Sequence, residues 1–259
     1  MNHKWWCVFT GLCALAMCIA TVPAQAQMSE VKEKPAMYSY VAFWAIPRPQ
    51  WADEQKLVAS ETQMLEKALA AGTLIGYGSD QTLIHSADGS THDTWFSAMS
   101  EAALLNFLDG VYKSGIPTSP VDAAATKHWD NLVVSHYYNW HSGSVKGGYT
   151  HVSAYQLKPD APDDAIDTLS KTFVVPLLEK LLADGTIAEY EVDTEAIHTD
   201  SPGGFWIVYL SPTAEGLDKV NAALQDGLKA NPLASPAFGS MVDFKDHRDY
   251  LNRTDAVYK

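Results

Sequence analysis

The stretch LEKALAAGT at residues 65–73 recurs as LEKLLADGT at residues 178–186, 113 positions later. At the same offset Tyr77 matches Tyr190. The segments 38–46 and 149–157 match at an offset of 111 positions, as do Trp95 and Trp206. Agreement over such a length, with small changes of offset in loops, indicates two copies of one unit.

Each copy has the same order of predicted elements. A strand of alternating character precedes Pro-rich punctuation and a long amphipathic helix, which in the first copy spans residues 51–71. Gly72 and Gly185 stand where a left-handed residue ends a helix. Two strands follow, then a second helix capped by Ser100 or Ser211, then a last strand near residues 132–135 or 241–244. The predicted order is βαββαβ, twice.

This order is that of the ferredoxin-like split βαβ motif, whose helices cover one face of an antiparallel sheet. The other face needs a partner, which the second copy supplies. We therefore predict an α+β fold of two tandem ferredoxin-like βαββαβ units packed sheet to sheet.

Over residues 38–250 the chain resembles the dimeric α+β barrel superfamily in element order, tandem arrangement and aromatic strand pattern. Members of that superfamily include antibiotic-biosynthesis monooxygenases, EthD-like and NIPSNAP-like proteins, and haem-binding chlorite dismutase and dye-decolorising peroxidase relatives. The resemblance implies an intrachain dimeric α+β barrel. It also implies a monomer, because one chain supplies both halves of the pseudo-dimeric barrel.

The first residues predict a signal peptide at 1–26. Lys4 precedes an apolar run at residues 5–22, and the small-residue motif AQA occupies residues 24–26. Cleavage after Ala26 predicts a periplasmic or secreted protein without a membrane anchor. The repeats then span residues 27–144 and 145–259, and the Gly/Ser-rich stretch 141–148 is the predicted linker.

Composition excludes several classes of function. The formal net charge of −13 disfavours nucleic acid as a partner. All 3 cysteines lie in the predicted leader, so we expect no disulfide and no metal site built on thiolates, and we assign no metal ligands. The chain lacks a Gly-x-Ser-x-Gly elbow, a His-Glu-x-x-His motif and a phosphate loop, which argues against hydrolases, zinc proteases and nucleotide enzymes.

Alternation in the first strand of each copy separates an aromatic face from a valine-bearing face. Tyr40 and Trp44 share the aromatic face in the first copy, and His151 and Tyr155 share it in the second. We expect the valine-bearing face to meet the helices and the aromatic face to line the barrel. The rings would then contact a small, mostly apolar ligand or simply fill the interior.

Other candidates carry open alternatives. Trp95 and Trp206 are matched on the third strand of each copy and lie either in the core or on a pocket wall. Glu189 begins a run of acids at alternate positions that ends at Glu195. Facing solvent, these acids would keep an edge strand soluble; facing inward, they would supply a general base or a hard-cation site.

His136 and His247 are 111 positions apart, just beyond the predicted last strands. Each would either pair with neighbouring charges or act as an acid, a base or a haem ligand at a barrel mouth. The candidate ligand-binding residues are therefore Tyr40, Trp44, Trp95, His136, His151, Tyr155, Glu189, Trp206 and His247.

Three functions are compatible with these features. The first is binding of a small aromatic or apolar ligand without a cofactor, or its cofactor-independent oxygenation or isomerisation, as the resemblance implies. The second is a haem-binding protein of the same fold, with His136, His151 or His247 beside the haem. The third is a non-catalytic structural or interaction protein with a filled barrel. No catalytic residue is assigned, and whether the protein is an enzyme stays open.

Overall fold

The computed structural model describes residues 31–86, 89–199 and 202–259, and the predicted leader and its cleavage site lie outside these ranges. The first half contains β1 (Met37–Trp44), α1 (Trp51–Ala71), β2 (Gly76–Thr82), β3 (His92–Ala98), α2 (Glu101–Ser114) and β4 (His128–Trp140). The second half contains β5 (Gly143–Leu157), α3 (Ala165–Leu169), α4 (Val175–Ala183), β6 (Glu189–Glu195), β7 (Gly204–Ser211), α5 (Ala214–Ala230), α6 (Ala234–Met241) and β8 (Val242–Tyr258). A π-helical segment, Ser170–Val174, connects α3 to α4.

The eight strands form one closed antiparallel barrel in the order β1-β3-β2-β8-β5-β7-β6-β4. The predicted barrel is therefore present, and its two halves share one continuous sheet instead of packing as two sheets. The two halves join at their edges, because β8 pairs with both β5 and β2 and β4 pairs with both β1 and β6. Long strands of 13 and 17 residues make this double pairing possible.

Several helix boundaries follow the sequence signals. The helix α1 ends at Gly72, whose φ of 76° is the left-handed conformation expected there. Ser100 caps α2 by accepting a hydrogen bond from the Ala103 amide. In the second half the cap is Thr213 rather than Ser211. Ser211 instead ends β7, where its hydroxyl contacts the Thr186 and Thr213 carbonyl oxygens at 2.9 Å each.

The Gly-rich stretch predicted as a linker is mostly strand. β5 begins at Gly143 and pairs with β8, with an irregularity in register between Val145 and Gly148. The backbone between β4 and β5 is therefore a short turn.

The apolar core lies mainly between the outer surface of the barrel and the helices. One cluster places Leu74, Phe96 and Leu104 against Leu65 of α1. A second cluster places Leu178 and Ile187 beside other buried apolar side chains of α4, β6 and α5. Because the helices cover the outside, the inner wall of the barrel is free to carry polar groups. None of the helices in the described ranges is long and apolar enough to cross a membrane.

Candidate functional site: an acidic cavity inside the barrel

The first strand of each half presents its valine-bearing face to the barrel interior. Val41 and Val152 line the interior cavity. Tyr40 instead packs with the cluster that contains Leu65 of α1. The prediction that the aromatic face lines the barrel is therefore wrong. The alternation of residues in a strand shows that its two faces differ, but not which face is inward. Large aromatic rings bury as much area against helices as they do inside a barrel.

Four of the sequence candidates consequently lie outside the barrel. Tyr40 contacts Phe96 at a ring-centroid distance of 5.2 Å, and Trp44 stacks on His128 at 3.6 Å. His151 stacks on Tyr209 at 5.1 Å, and Tyr155 stacks on His247 at 4.4 Å.

The two histidines matched at 111 positions are not structural equivalents. Val41 of β1 pairs with Asn131, and its repeat partner Val152 of β5 pairs with Tyr250. Asn131 and Tyr250 are therefore the equivalent residues of the last strands. They are more than 111 positions apart, so a separation of 111 does not identify equivalent residues there. His136 lies at an irregularity of β4, with Nδ1 at 3.0 Å from the Lys34 carbonyl oxygen. His247 Nε2 lies 3.2 Å from Asp249 Oδ1, within the distance of an ion pair when the imidazole is protonated. Neither histidine lines the cavity.

The interior of the barrel forms a cavity of about 720 Å³ that opens at one end and to which all eight strands contribute. Its polar wall is dominated by five buried carboxyl groups and several amide and hydroxyl groups. These are Asp80, Asp93, Glu189, Glu191, Asp193, Asn131, Asn252, Thr150 and Ser39. Such a concentration of acid in a low-dielectric interior raises carboxyl pKa values, because each ionised group is both poorly solvated and close to like charge.

The first group of acids is a pair across β2 and β3. Asp80 faces Asp93 in the strand register. Asp80 accepts hydrogen bonds from Trp95 Nε1 at 3.2 Å and from the Thr254 hydroxyl. Burial raises the pKa of Asp80 to about 6, and burial together with the Asp80 carboxylate raises the pKa of Asp93 well above its usual range. The pair therefore retains a proton to higher pH than solvated carboxyl groups do.

The second group lies on β6. Burial, followed by repulsion from Asp193, raises the pKa of Glu189 to about 8, and burial raises the pKa of Asp193 to about 7. Burial and the neighbouring acids raise the pKa of Glu191 well above its usual range. The interpretation of these three acids as solvent-facing is wrong, because the outer side of β6 is covered by the second apolar cluster.

An aromatic wall accompanies the acids. The Trp95 ring lies directly over Gly78, where an added Cβ would be 2.5 Å from Cζ2 of the indole. Tyr258 contacts Trp95 at a centroid distance of 5.5 Å, and Trp206 lines the cavity from β7. The repeat partner of Gly78 is Glu191, so the second half has a buried carboxyl group at the position where the first half has a glycine covered by an indole ring.

The cavity has one packed end and one more accessible end. Tyr258 packs with Ala188, Leu210 and Ala256 in an apolar cluster at the packed end. At the other end the cavity reaches Ile84, which is 71% exposed, and His85 in the segment after β2. Phe43 and Trp129 stack beside this end at 5.3 Å. A small molecule would enter between these groups.

Sequence reasoning missed Asp80, Asp93, Asn131, Asn252 and Tyr258 as wall residues. A signal for one of them was present, since Asp80 and Asp193 match at the 113-position offset of the repeat. The others depend on pairings between the halves that the repeat does not specify.

The interior of the barrel is a poor fit for haem. Haem iron needs an axial ligand such as His, Cys, Met or Tyr. None of the predicted ligands His136, His151 and His247 lines the cavity, and His85 and Tyr250, which do line it, are both exposed. Burial and neighbouring acids raise the pKa of Tyr258 well above its usual range, which opposes formation of a ligating phenolate. The carboxyl groups would also repel haem propionates.

Among solved structures of similar fold, three align over most of this chain. A candidate monooxygenase from Lactobacillus acidophilus has a TM-score of 0.59 at 11% identity, over 85% of this chain and 94% of its own. A candidate monooxygenase from Fusobacterium nucleatum has a TM-score of 0.58 at 7% identity, over 87% of this chain and 95% of its own. An anthrone oxidase-like protein has a TM-score of 0.55 at 14% identity, over 87% and 93%.

No family model matches the chain, and no curated protein matches it significantly. At these identities the structural likeness shows the fold, an α+β protein with a closed eight-stranded barrel. That fold agrees with the resemblance to dimeric α+β barrel proteins. The function has to be argued from the cavity itself.

Proposed function

We propose that the protein binds a small molecule with an aromatic or otherwise apolar ring inside the barrel and moves a proton on it. The observation that carries this proposal is the cavity of about 720 Å³, in which Trp95 and Trp206 stand beside carboxyl groups of raised pKa. The volume lies within the range of small-molecule sites, and the wall combines apolar and aromatic side chains with polar groups that can orient a ligand.

The carboxyl groups supply the chemistry. A general base works best when its pKa is near the working pH, and the pKa of Asp193 is raised to about 7 by burial. The carboxylate would take a proton from an activated carbon or hydroxyl group of the bound ring. Returning that proton to another carbon completes an isomerisation, whereas reaction of the ring anion with dioxygen begins an oxygenation without a cofactor.

The names of the structural neighbours agree with this chemistry. Two are described as candidate monooxygenases and one as anthrone oxidase-like. We therefore favour an enzyme over a non-catalytic interaction protein, whose barrel would be filled. Haem is not part of the proposal, because His136, His151 and His247, the histidines predicted to lie beside it, do not line the cavity.

Three further parts of the proposal concern architecture and location. The strand orders β4-β1-β3-β2 and β8-β5-β7-β6 support two tandem ferredoxin-like copies. Both halves of the barrel come from one chain, which supports a monomer. The leader at residues 1–26 supports export, and a mature amino terminus at Gln27 would test it.

The first test is ligand binding. Protein purified from the periplasm without denaturant is examined by native mass spectrometry and ultraviolet–visible absorption, then titrated with 1-naphthol, indole and anthrone while tryptophan fluorescence is followed. We expect Trp206→Phe to weaken binding by about fivefold, from loss of aromatic contact worth about 1 kcal/mol. Trp44→Phe, on the outer face, is the matched control. Equal effects of both substitutions would contradict a site inside the barrel.

The second test is proton transfer. Anthrone has an acidic ring CH₂ group, so enzyme-dependent exchange of its protons for deuterium can be followed by NMR. Asp193→Asn should slow this exchange at least about 100-fold, as expected for loss of a general base. The exposed Asp218 of α5 offers the control substitution Asp218→Asn. Exchange that is unaffected by Asp193→Asn would remove this residue from the mechanism.

A further inference from the structure

Most of the charged side chains that line the cavity are acidic. Five carboxyl groups project from β2, β3 and β6, whereas Arg248 is the one Lys or Arg side chain on the part of the wall that the structure describes. Arg248 Nη1 donates to the carbonyl oxygens of Lys245 at 3.3 Å and His247 at 2.7 Å, so it is engaged with its own strand. The remaining titratable groups on the described part of the wall are Tyr258 at the packed end and His85, Asp246, Asp249 and Tyr250.

Several residues that line the same space carry acceptor atoms without donors. In the described ranges, no protein group hydrogen-bonds Glu189 Oε1, Asp193 Oδ1, Asn131 Oδ1 or Asn252 Oδ1. Glu189 and Asp193 are 2% and 5% exposed, so bulk water does not satisfy these oxygens. A buried acceptor without a donor costs about 1–3 kcal/mol. The wall thus presents acceptors that match a ligand rich in N–H groups.

The arrangement of the acids favours an organic cation over a metal ion. Among residues 31–86, 89–199 and 202–259, no three His, Cys, Asp or Glu side chains converge closely enough to hold a metal ion. The acids are instead divided between the Asp80–Asp93 pair and β6, with Trp95 beside the first and Trp206 next to Asp193 in the register. Aromatic faces attract organic cations as well as rings.

We propose that the ligand of this cavity carries a positively charged nitrogen, an ammonium or amidinium group, on its aromatic or apolar body. The nitrogen lies between Glu189 and Asp193 and donates to their free oxygens, while the ring packs on Trp95 and Trp206. This inference rests on the proposed binding function and adds the charge of the ligand to it.

The test compares ligands of equal shape and different charge. Tryptamine, tryptophol and indole-3-propionate share a ring and differ in an ammonium, a hydroxyl and a carboxylate group. Calorimetric titration at pH about 7.5 should give tryptamine an affinity at least about tenfold above tryptophol, with indole-3-propionate weakest. Equal or tighter binding of tryptophol would overturn the charge assignment and leave the binding function intact.

Two other results separate the possibilities. If none of the three compounds binds at about 1 mM and the compounds of the first test also fail, both the binding function and this inference are overturned. If Ca²⁺ or Mg²⁺ alone binds and displaces tryptamine, the acids form a metal site and the organic cation is wrong.

Isosteric substitutions locate the cation. Glu189→Gln and Asp193→Asn each remove a negative charge and should reduce the preference for tryptamine over tryptophol at least about fivefold. Binding of tryptophol should change little, which shows that the variants are folded and the cavity intact. The exposed control Asp218→Asn should keep the full preference. A preference unchanged by both cavity substitutions would overturn the proposal.

Proton release gives a readout that is independent of affinity. A cation beside a protonated carboxyl group lowers its pKa, so binding expels protons from the acids of β6. Titrations in phosphate and Tris buffers, whose ionisation enthalpies differ, should therefore show release with tryptamine and none with tryptophol. Uptake of protons with tryptamine would contradict the model.

Discussion

Gly78 illustrates how a single residue shapes the cavity. A Cβ at this position would lie 2.5 Å from Cζ2 of Trp95, whose Nε1 is held by Asp80. Gly78→Ala therefore has to displace the indole or the strand. We expect a loss of about 1–3 kcal/mol in the free energy of unfolding, the usual cost of overpacking. Urea denaturation measures the stability, and near-ultraviolet circular dichroism reports the ring's position.

Gly227 provides the control for this substitution. It lies in α5, and nothing lies within 4 Å of the position that an added methyl group would take, so Gly227→Ala gains helix propensity without a clash. We expect this change to stabilise the protein by about 0.5–1 kcal/mol. If both substitutions had the same sign, space around Trp95 would not be the reason for Gly78.

At the residue level, the repeat shows which positions of the two halves correspond, but it does not show which side chains face the interior of the barrel. Trp95 and Trp206 were matched as a pair, and both are on the cavity wall. Tyr40 and His151 were matched equally well and lie outside it. The period of a strand divides its residues into two sets, but the inward set depends on what the rest of the barrel presents. In this barrel, β6 presents acidic side chains to the interior, and the sequence did not show whether those side chains are buried.

At the scale of elements, the helix caps show where the local sequence decides the start of a helix and where tertiary contacts decide it. Ser100 caps α2 as its sequence predicts, whereas Thr213 takes this role at α5. Pro212 lies between Ser211 and Thr213, and Ser211 is held by the Thr186 carbonyl oxygen. A strand residue already engaged in this way is not available as a cap.

The two caps allow a direct comparison. Thr213→Ala should cost about 1 kcal/mol because the Gly216 amide loses its acceptor, and Ser100→Ala should cost a similar amount through Ala103. Thr213→Ser and Ser100→Thr retain a hydroxyl and should restore most of the stability in urea titrations. The opposite result would be that Thr213→Ala leaves the stability unchanged while Ser211→Ala destabilises the protein and lowers its helix content. That result would support Ser211 as the cap of α5.

The element order was predictable, whereas the strand lengths were not. Helix α1 begins and ends where the sequence predicts, at Trp51 and Ala71. The last strand of each half was predicted as a short segment, yet β4 and β8 have 13 and 17 residues. Their additional residues pair with the opposite half. Such pairing over a long sequence separation leaves no local period in the sequence, so barrel closure was not visible there.

At the scale of the whole molecule, closing the barrel with acids on its inner wall makes stability depend on pH. The pKa values of Asp80, Asp193 and Glu189 are raised by burial to about 6, 7 and 8. In the unfolded chain these carboxyl groups titrate near about 4. Between these limits the folded state binds more protons than the unfolded state, so the free energy of unfolding decreases as pH rises.

Other titratable groups determine the pH range in which this decrease of stability is easiest to measure. Burial lowers the pKa of His92 to about 4, and this group has the opposite effect on stability up to its unfolded pKa of about 6.5. Outside the barrel, burial also raises the pKa of Glu54 to about 7 and of Glu61 to about 8, which adds to the effect of the cavity acids. Above pH about 6.5 the acids therefore dominate.

We expect the melting temperature to fall steadily from pH about 6.5 to pH about 8, with each additional bound proton worth about 1.4 kcal/mol per pH unit. Asp193→Asn and Glu189→Gln should raise stability at pH about 8 and flatten this slope, because the neutral amides need no proton. Asp218→Asn should leave the slope unchanged. Scanning calorimetry of the wild-type protein and the three variants measures these stabilities. A stability that increases with pH in this window would mean that the acids are ionised and solvated. The cavity would then be a water-filled surface cleft and not a buried acidic site.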